Sequence, residues 1–338
     1  MLALAVLLLF GASVVAQDRS ASNSPPVPPP GRFIDLGGWR LHLNCSRKAT
    51  ASQPTAILEA GAGDFSVDWS LVQPAVARFA RVCSYDRAGS AWSDLGPRPR
   101  TMHQIVWELH TLLDKAGIKP PFVLVGHSYG GWLVRLYAST YPAEVAGMVL
   151  VEAGADNPRR ILRDGNVGHA SDLATGQPIP AVKTSGPLRE SDLPPRILSL
   201  IQAAVRDAGP HANDPPRDKL PADAQRMRTW TLSQVKHAAS NDNPFEADEL
   251  IAMSAERNKK EHPLGDLPLI VLSRGISESE GPNALADEEE RKRDQAALVS
   301  LSRNGKQVIA VRSGHHIPLD EPDLVVGAIR EMIAAHHR

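Results

Sequence analysis

The run FVLVG at 122–126 passes without a break into His127, Ser128, Tyr129, Gly130 and Gly131, and then into a segment with Trp132, Leu133, Leu136 and Tyr137 at helical spacing. A continuous β-branched run suits a parallel strand covered on both faces, and apolar residues three and four apart suit a helix. Few residues remain for the reversal, so Ser128 must sit on a tight strand-to-helix turn with strained backbone angles. Side chains two positions before and two after would collide there, which accounts for glycine at 126 and 130. The turn lifts the hydroxyl off the sheet at a helix N-terminus, where backbone N–H groups face any developing oxyanion.

From about Arg32 the chain alternates short apolar strands with helical stretches, the pattern of an α/β sheet. The expected strands are RFIDL (32–36), WRLHLNC (39–45), TAILEA (55–60), RVCSYD (81–86), FVLVGH (122–127), GMVLVEA (147–153), PLIVLS (268–273) and QVIAVRS (307–313). Met102, Ile105, Val106, Leu109, Leu112, Leu113 and Ala116 share one helical face, with Thr101 and Gln104 as a capping box and Gly117 at the end. Pro322 announces the last helix.

The alternation stops after Glu152 and resumes near Pro268. Residues 153–266 are rich in Pro, Asp and Arg and carry the helical pieces LPPRILSLIQAAV and AQRMRTWTLSQVKHAA. They are expected to form a mostly helical cap inserted into a core made of 32–152 and 267–338, since unstructured loops of that length are uncommon. The run ADEEERKRDQ (286–295) places opposite charges three and four apart and reads as a solvated helix face rather than a binding site.

With 37 Lys and Arg against 38 Asp and Glu, and 42% hydrophobic residues, the chain reads as globular and charge-balanced. A disordered chain and a basic nucleic-acid-binding protein are both disfavoured. Residues 1–16 are apolar or small, with Val14 and Ala16 where a signal peptidase expects small residues. They are expected to be a signal peptide of an exported, periplasmic or secreted protein without stable membrane insertion once it is removed; a retained anchor is the other reading. Residues 17–31, including RSASNSPPVPPPG, are expected to be an extended Ser/Pro tether that packs no core.

GHSYGG, the LEAGAG turn after the third strand, YDRAGSAWSD after the fourth and SGHHIPLDEPDLV near the end together resemble the α/β-hydrolase superfamily, from Arg32 onward. The resemblance implies an eight-stranded, mostly parallel sheet with a cap after the sixth strand. It also implies a catalytic triad in the chain order nucleophile, acid, histidine. Ser128 is then the nucleophile. Epoxide hydrolases and haloalkane dehalogenases of this fold use Asp at that position, so those activities are disfavoured.

Of twelve histidines, His315 follows a strand through Ser313 and Gly314 and precedes the final helix, as the superfamily's general base does. His316 is expected to point another way and His127 to pack in the turn, with His103 and His110 in surface or core roles. The resembled acid stands after the seventh strand or at the end of the sixth. Glu152, ending the sixth, is the expected acid, because a carboxylate buried after a β-branched run needs a partner. Glu278, after the seventh, is the alternative.

The oxyanion hole is expected from the N–H groups of Ala62 and Tyr129. Asp86 and Arg87 are expected in an ion pair or helix cap, and Phe65, Trp69, Trp92 and Trp132 as cavity walls or core. Cys45 and Cys83 fall on strands that neighbour each other in the resembled fold, so they pair either as a disulfide or as buried thiols. No metal or cofactor is expected. The leading function is a serine carboxylesterase acting on a small-molecule ester. A proline-iminopeptidase-like peptidase and a non-catalytic binding protein on the same fold are the alternatives.

Overall fold

The computed structural model describes residues 25–48, 53–161, 167–185, 198, 205, 209–240 and 243–336. The expected signal peptide, residues 17–24 of the tether and most of LPPRILSLIQAAV lie outside the described residues. Six strands come before the insertion: β1 (Arg32–Asp35), β2 (Arg40–Ser46), β3 (Thr55–Glu59), β4 (Val82–Tyr85), β5 (Phe122–His127) and β6 (Val145–Val151). The insertion holds a separate antiparallel pair, β7 (Arg159–Ile161) and β8 (Val167–His169), and β9 (Leu269–Arg274) and β10 (Gly305–Ala310) follow it. The main sheet has eight strands in the order β1-β2-β4-β3-β5-β6-β9-β10. Only the β1–β2 and β2–β4 pairings are antiparallel. This is the eight-stranded, mostly parallel architecture with a cap region after the sixth strand that the sequence leads one to expect.

Alternate residues of the central strands feed two separate cores, as the two-residue period of a strand requires. Phe122 and Leu124 of β5 and Met148 and Leu150 of β6 pack with helices α2 (Met102–Lys115) and α3 (Tyr129–Thr140). α1 (Gln73–Val76) lies under the opposite face. There Val123, Val125, Val149 and Val151 meet Val76 of α1 and the last helix, which carries Val325, Ile329, Met332 and Ile333. α2 begins as expected, Thr101 Oγ1 accepting the Gln104 N–H at 3.1 Å, and Gly117 at φ +69° ends it. The Gln104 side chain does not complete the box; it bonds Glu108 and Lys183 O instead.

Four further helices frame the site: α4 (Ala222–Leu232), α5 (Val235–Ser240) and α6 (Glu246–Arg257) in the cap, and α7 (Ala284–Val299) after β9. α8 (Ile317–Asp320) and α9 (Pro322–Ala335) close the chain. Among the described residues no helix is long and apolar enough to cross a membrane. Cys45 and Cys83 face each other across β2 and β4 and are joined as a disulfide.

The end of the tether is not a free spacer. Val27 packs beside Phe65 and Trp92 and accepts the Trp92 indole N–H at 3.0 Å, while Pro30 O takes a hydrogen bond from His42 Nε2. Extended Pro-rich backbone leaves its carbonyls unpaired, and here two buried side chains use them. The packed chain therefore begins before Arg32.

Candidate active site

Ser128 sits at φ 51° and ψ −116°, immediately before α3. That angle belongs to the sparsely populated region in which a non-glycine residue is strained. A Cβ on Gly126 would meet Gly130 O, and one on Gly130 would meet Glu59 O, both far inside van der Waals contact. Both glycines are thus required by the turn. Ser128 N donates to Val151 O at 3.0 Å, and Ser128 O accepts from Gly131 and Gly154, so β6 holds the strained residue. As the first residue of α3, Tyr129 has an N–H with no intrahelical partner.

The turn opposite is built on Gly61, Ala62, Gly63 and Asp64, closed by Asp64 N to Gly61 O at 3.3 Å with Gly63 at φ +70°. Ala62, Ser128, Tyr129 and His315 all line one cavity of about 610 Å³, together with Glu152, Trp132 and Arg274. Nucleophile, base and both oxyanion-donor residues named from the sequence are therefore brought to one surface. Phe65 and Trp92 pack in the core beside Met227, and Trp69 under the sheet, so of the four wall candidates Trp132 lines this cavity.

His315 and His316 diverge, as adjacent loop residues should. His316 turns to a smaller recess lined also by Asp64 and His127. His127 donates from Nε2 to His315 O at 3.0 Å, which fastens the histidine loop to the Ser128 turn. Burial, the neighbouring His127 and His316 rings and the Arg274 cation hold the His315 imidazole well below its ordinary pKa, with Asp64 opposing. His316 is held down to about 4, chiefly by burial. Both rings are neutral at pH 7.

The two carboxylates are placed differently. Glu152, at φ 41° just past β6, is buried, and its carboxylate accepts the Arg274 N–H at 2.7 Å and Arg291 Nη1 at 3.0 Å. Burial raises its pKa, and the two arginines work against that rise. Glu278 lies against the histidine loop. Its Oε1 accepts the backbone N–H of His315 at 2.9 Å, and its Oε2 takes Arg274 Nη1 at 2.9 Å. Among the described residues neither carboxylate is hydrogen-bonded to the His315 ring.

The charged run on α7 departs from its expected role. Asp287, Glu290, Arg291, Asp294 and Gln295 line the main cavity rather than facing solvent alone. Glu288 and Gln295, seven residues apart and both buried, mark the face that turns inward. Arg291 bridges Glu288 and Glu152, and Arg159 of the cap pairs with Asp287. Charge spacing alone gives no sign of which α7 face the cap would cover.

Two further groups escaped the sequence reading. Arg217 and Arg228 of the cap reach Asp64 at 3.1 and 3.2 Å, so the cap is ion-paired to the turn of Gly61 to Asp64. Arg228 also pairs with Asp68, whose carboxyl is pushed up to about 7 by burial. The residues best arranged to hold a metal are Asp64, His127 and His316, whose ligand atoms lie within 4.8 Å of one another. Asp64 already carries two guanidinium partners there, which disfavours a further cation.

Residues 57–171 match the alpha/beta hydrolase fold family. The chain has the α/β-hydrolase fold. An AB hydrolase superfamily protein of Gibberella zeae is 23% identical over 294 residues, 85% of this chain and 88% of that protein. A thermophilic esterase from Thermogutta terrifontis superposes with a TM-score of 0.59 at 16% identity, over 91% of this chain and 100% of the other. A putative epoxide hydrolase from Pseudomonas aeruginosa gives 0.64 at 16% identity, over 90% and 96%. In this fold the Ser128 turn and the His315 loop share one cavity with residues of the cap.

Proposed function

We propose that this protein cleaves carboxylic esters through an acyl-enzyme on Ser128. The observation that carries the reading is the strained Ser128 turn sharing one cavity with the neutral imidazole of His315 and with Ala62 and Tyr129. Ser128 Oγ attacks the ester carbonyl while His315 takes its proton. The oxyanion is received by the N–H groups of Ala62 and Tyr129, a contribution that typically amounts to about a hundred- to thousandfold in rate per donor. His315 then protonates the leaving alcohol, and water, deprotonated by the same imidazole, releases the acid.

In this reading the triad acid is Glu278 rather than Glu152. Glu278 already holds the His315 backbone, whereas Glu152 is committed to Arg291 and the Arg274 N–H. Export forms part of the proposal; a Cys45–Cys83 disulfide is chemistry that oxidising compartments maintain.

The test is covalent labelling with a fluorophosphonate probe followed by peptide mass mapping, alongside turnover of short p-nitrophenyl esters by wild type and Ser128→Ala. Mass added on Ser128 and loss of turnover in the variant are expected. No labelling, or undiminished turnover in Ser128→Ala, overturns the reading.

A second reading has one observation in its favour. Glu152, Glu246, Asp287, Glu290 and Asp294 line the cavity against Arg159, Arg274 and Arg291, so carboxylates outnumber arginines five to three. A substrate carrying an amine would be welcomed there, as in an aminopeptidase of the proline-iminopeptidase kind. Aminoacyl amides compared with neutral esters of equal size separate the two.

A further inference from the structure

The proposed oxyanion hole depends on where the Ala62 N–H points, and the atoms that decide this lie behind the turn. Gly61 O and the Ala62 N–H belong to one planar trans peptide and point to opposite sides of it. Whatever holds the oxygen therefore aims the N–H. Arg87 Nη2 donates to Gly61 O and, at 3.3 Å, to Asp64 O, while Nη1 donates to Ala60 O at 2.8 Å. Three carbonyls of one short turn converge on a single buried guanidinium.

The cation is itself fixed. Glu59 Oε1 accepts Nη1 at 2.7 Å, and the Tyr85 hydroxyl holds the other Glu59 oxygen at 2.5 Å. The guanidinium carbon also lies 5.6 Å from the ring centroid of Tyr129, the residue that supplies the second N–H. A planar fork of donors in fixed geometry suits this task, and an ammonium cannot reproduce it. Because Glu59 neutralises the charge at close range, what Arg87 supplies to the reaction is geometry.

We propose that Arg87 is a positioning residue for ester cleavage: by holding Gly61 O, it keeps the Ala62 N–H directed at the oxyanion. The inference rests on the serine-esterase reading and adds a role that an ion pair alone does not have.

Arg87→Lys is the informative variant, because it keeps a cation beside Glu59 while removing the fork; Arg87→Met would leave Glu59 buried without one. Active sites are counted by fluorophosphonate titration, and kcat and KM for a p-nitrophenyl ester are expressed per titrated site. The expected result is a kcat about a hundredfold lower, the scale of one lost oxyanion donor, with KM and the pH midpoint of the acid limb unchanged. Affinity for an alkyl trifluoromethyl ketone, which forms the tetrahedral adduct on Ser128, should fall by the same factor as kcat. A kcat per titrated site equal to wild type, a defect confined to KM, or unaltered ketone affinity overturns the inference while leaving the esterase reading intact. Failure of the wild type itself to label on Ser128 removes both.

Discussion

Glu278 Oε1 accepts the backbone N–H of His315 at 2.9 Å, and its other oxygen is tied to Arg274 at 2.9 Å. The carboxylate is thus held at the loop that carries His315. Glu278→Gln should lower kcat on a p-nitrophenyl ester by about a hundred- to ten-thousandfold, since an imidazole without its carboxylate loses tautomer and orientation. The melting temperature should change little, because the side chain is 45% exposed. Turnover within a few-fold of wild type would return the acid to another residue.

Glu152 should behave in the opposite way. Its carboxylate is buried, joined to Arg291 and to the Arg274 N–H, and lies beyond a strand end at positive φ. Removing it leaves the Arg274 N–H without its acceptor while Arg291 keeps Glu288, at a cost of about 1–3 kcal/mol. Glu152→Ala should therefore lose that much in urea unfolding, while kcat per titrated site at low temperature falls far less than in Glu278→Gln. A stable but inactive Glu152→Ala would make Glu152 the triad acid.

That the chain alone does not decide between these two carboxylates has a physical explanation. That Glu152 needs a partner follows from its place at the end of a β-branched run. Which partner it finds does not, because Arg291 comes from a helix 139 residues later. The strands, the Ser128 turn and the His315 loop were legible because each is a local pattern: alternation, glycines two either side, a Gly-His before a final helix. The ion pairs from Arg217 and Arg228 to Asp64, the clamp of Arg87 on the turn and the inward face of α7 all join distant segments. No local pattern announces them.

The pH profile follows from the surroundings of His315. Burial, the His127 and His316 rings and the Arg274 cation disfavour its imidazolium, and Asp64 only partly offsets them. A general base works in its neutral form, so activity is lost as pH falls through its pKa. With that pKa depressed, the acid limb of kcat/KM should have its midpoint below the ordinary imidazole value of about 6.5. Measuring kcat/KM from pH 4 to 8 in buffers of constant ionic strength checks this. A midpoint at or above 6.5 would contradict the burial of the ring in the free enzyme.

The last prediction separates two parts of the N-terminal segment. Residues 25–30 cover buried side chains: Val27 packs beside Phe65 and Trp92 and accepts the Trp92 N–H, and Pro30 O is bonded to His42. Removing them strips one half-buried apolar side chain and two hydrogen bonds, a loss of about 1–3 kcal/mol. A chain beginning at residue 31 should therefore unfold at lower urea than one beginning at residue 25. Both should show the same kcat per titrated site, since none of these residues lines the main cavity. Equal unfolding midpoints would mean that the Val27 and Pro30 contacts add nothing to stability, and would return the whole segment to the role of a spacer.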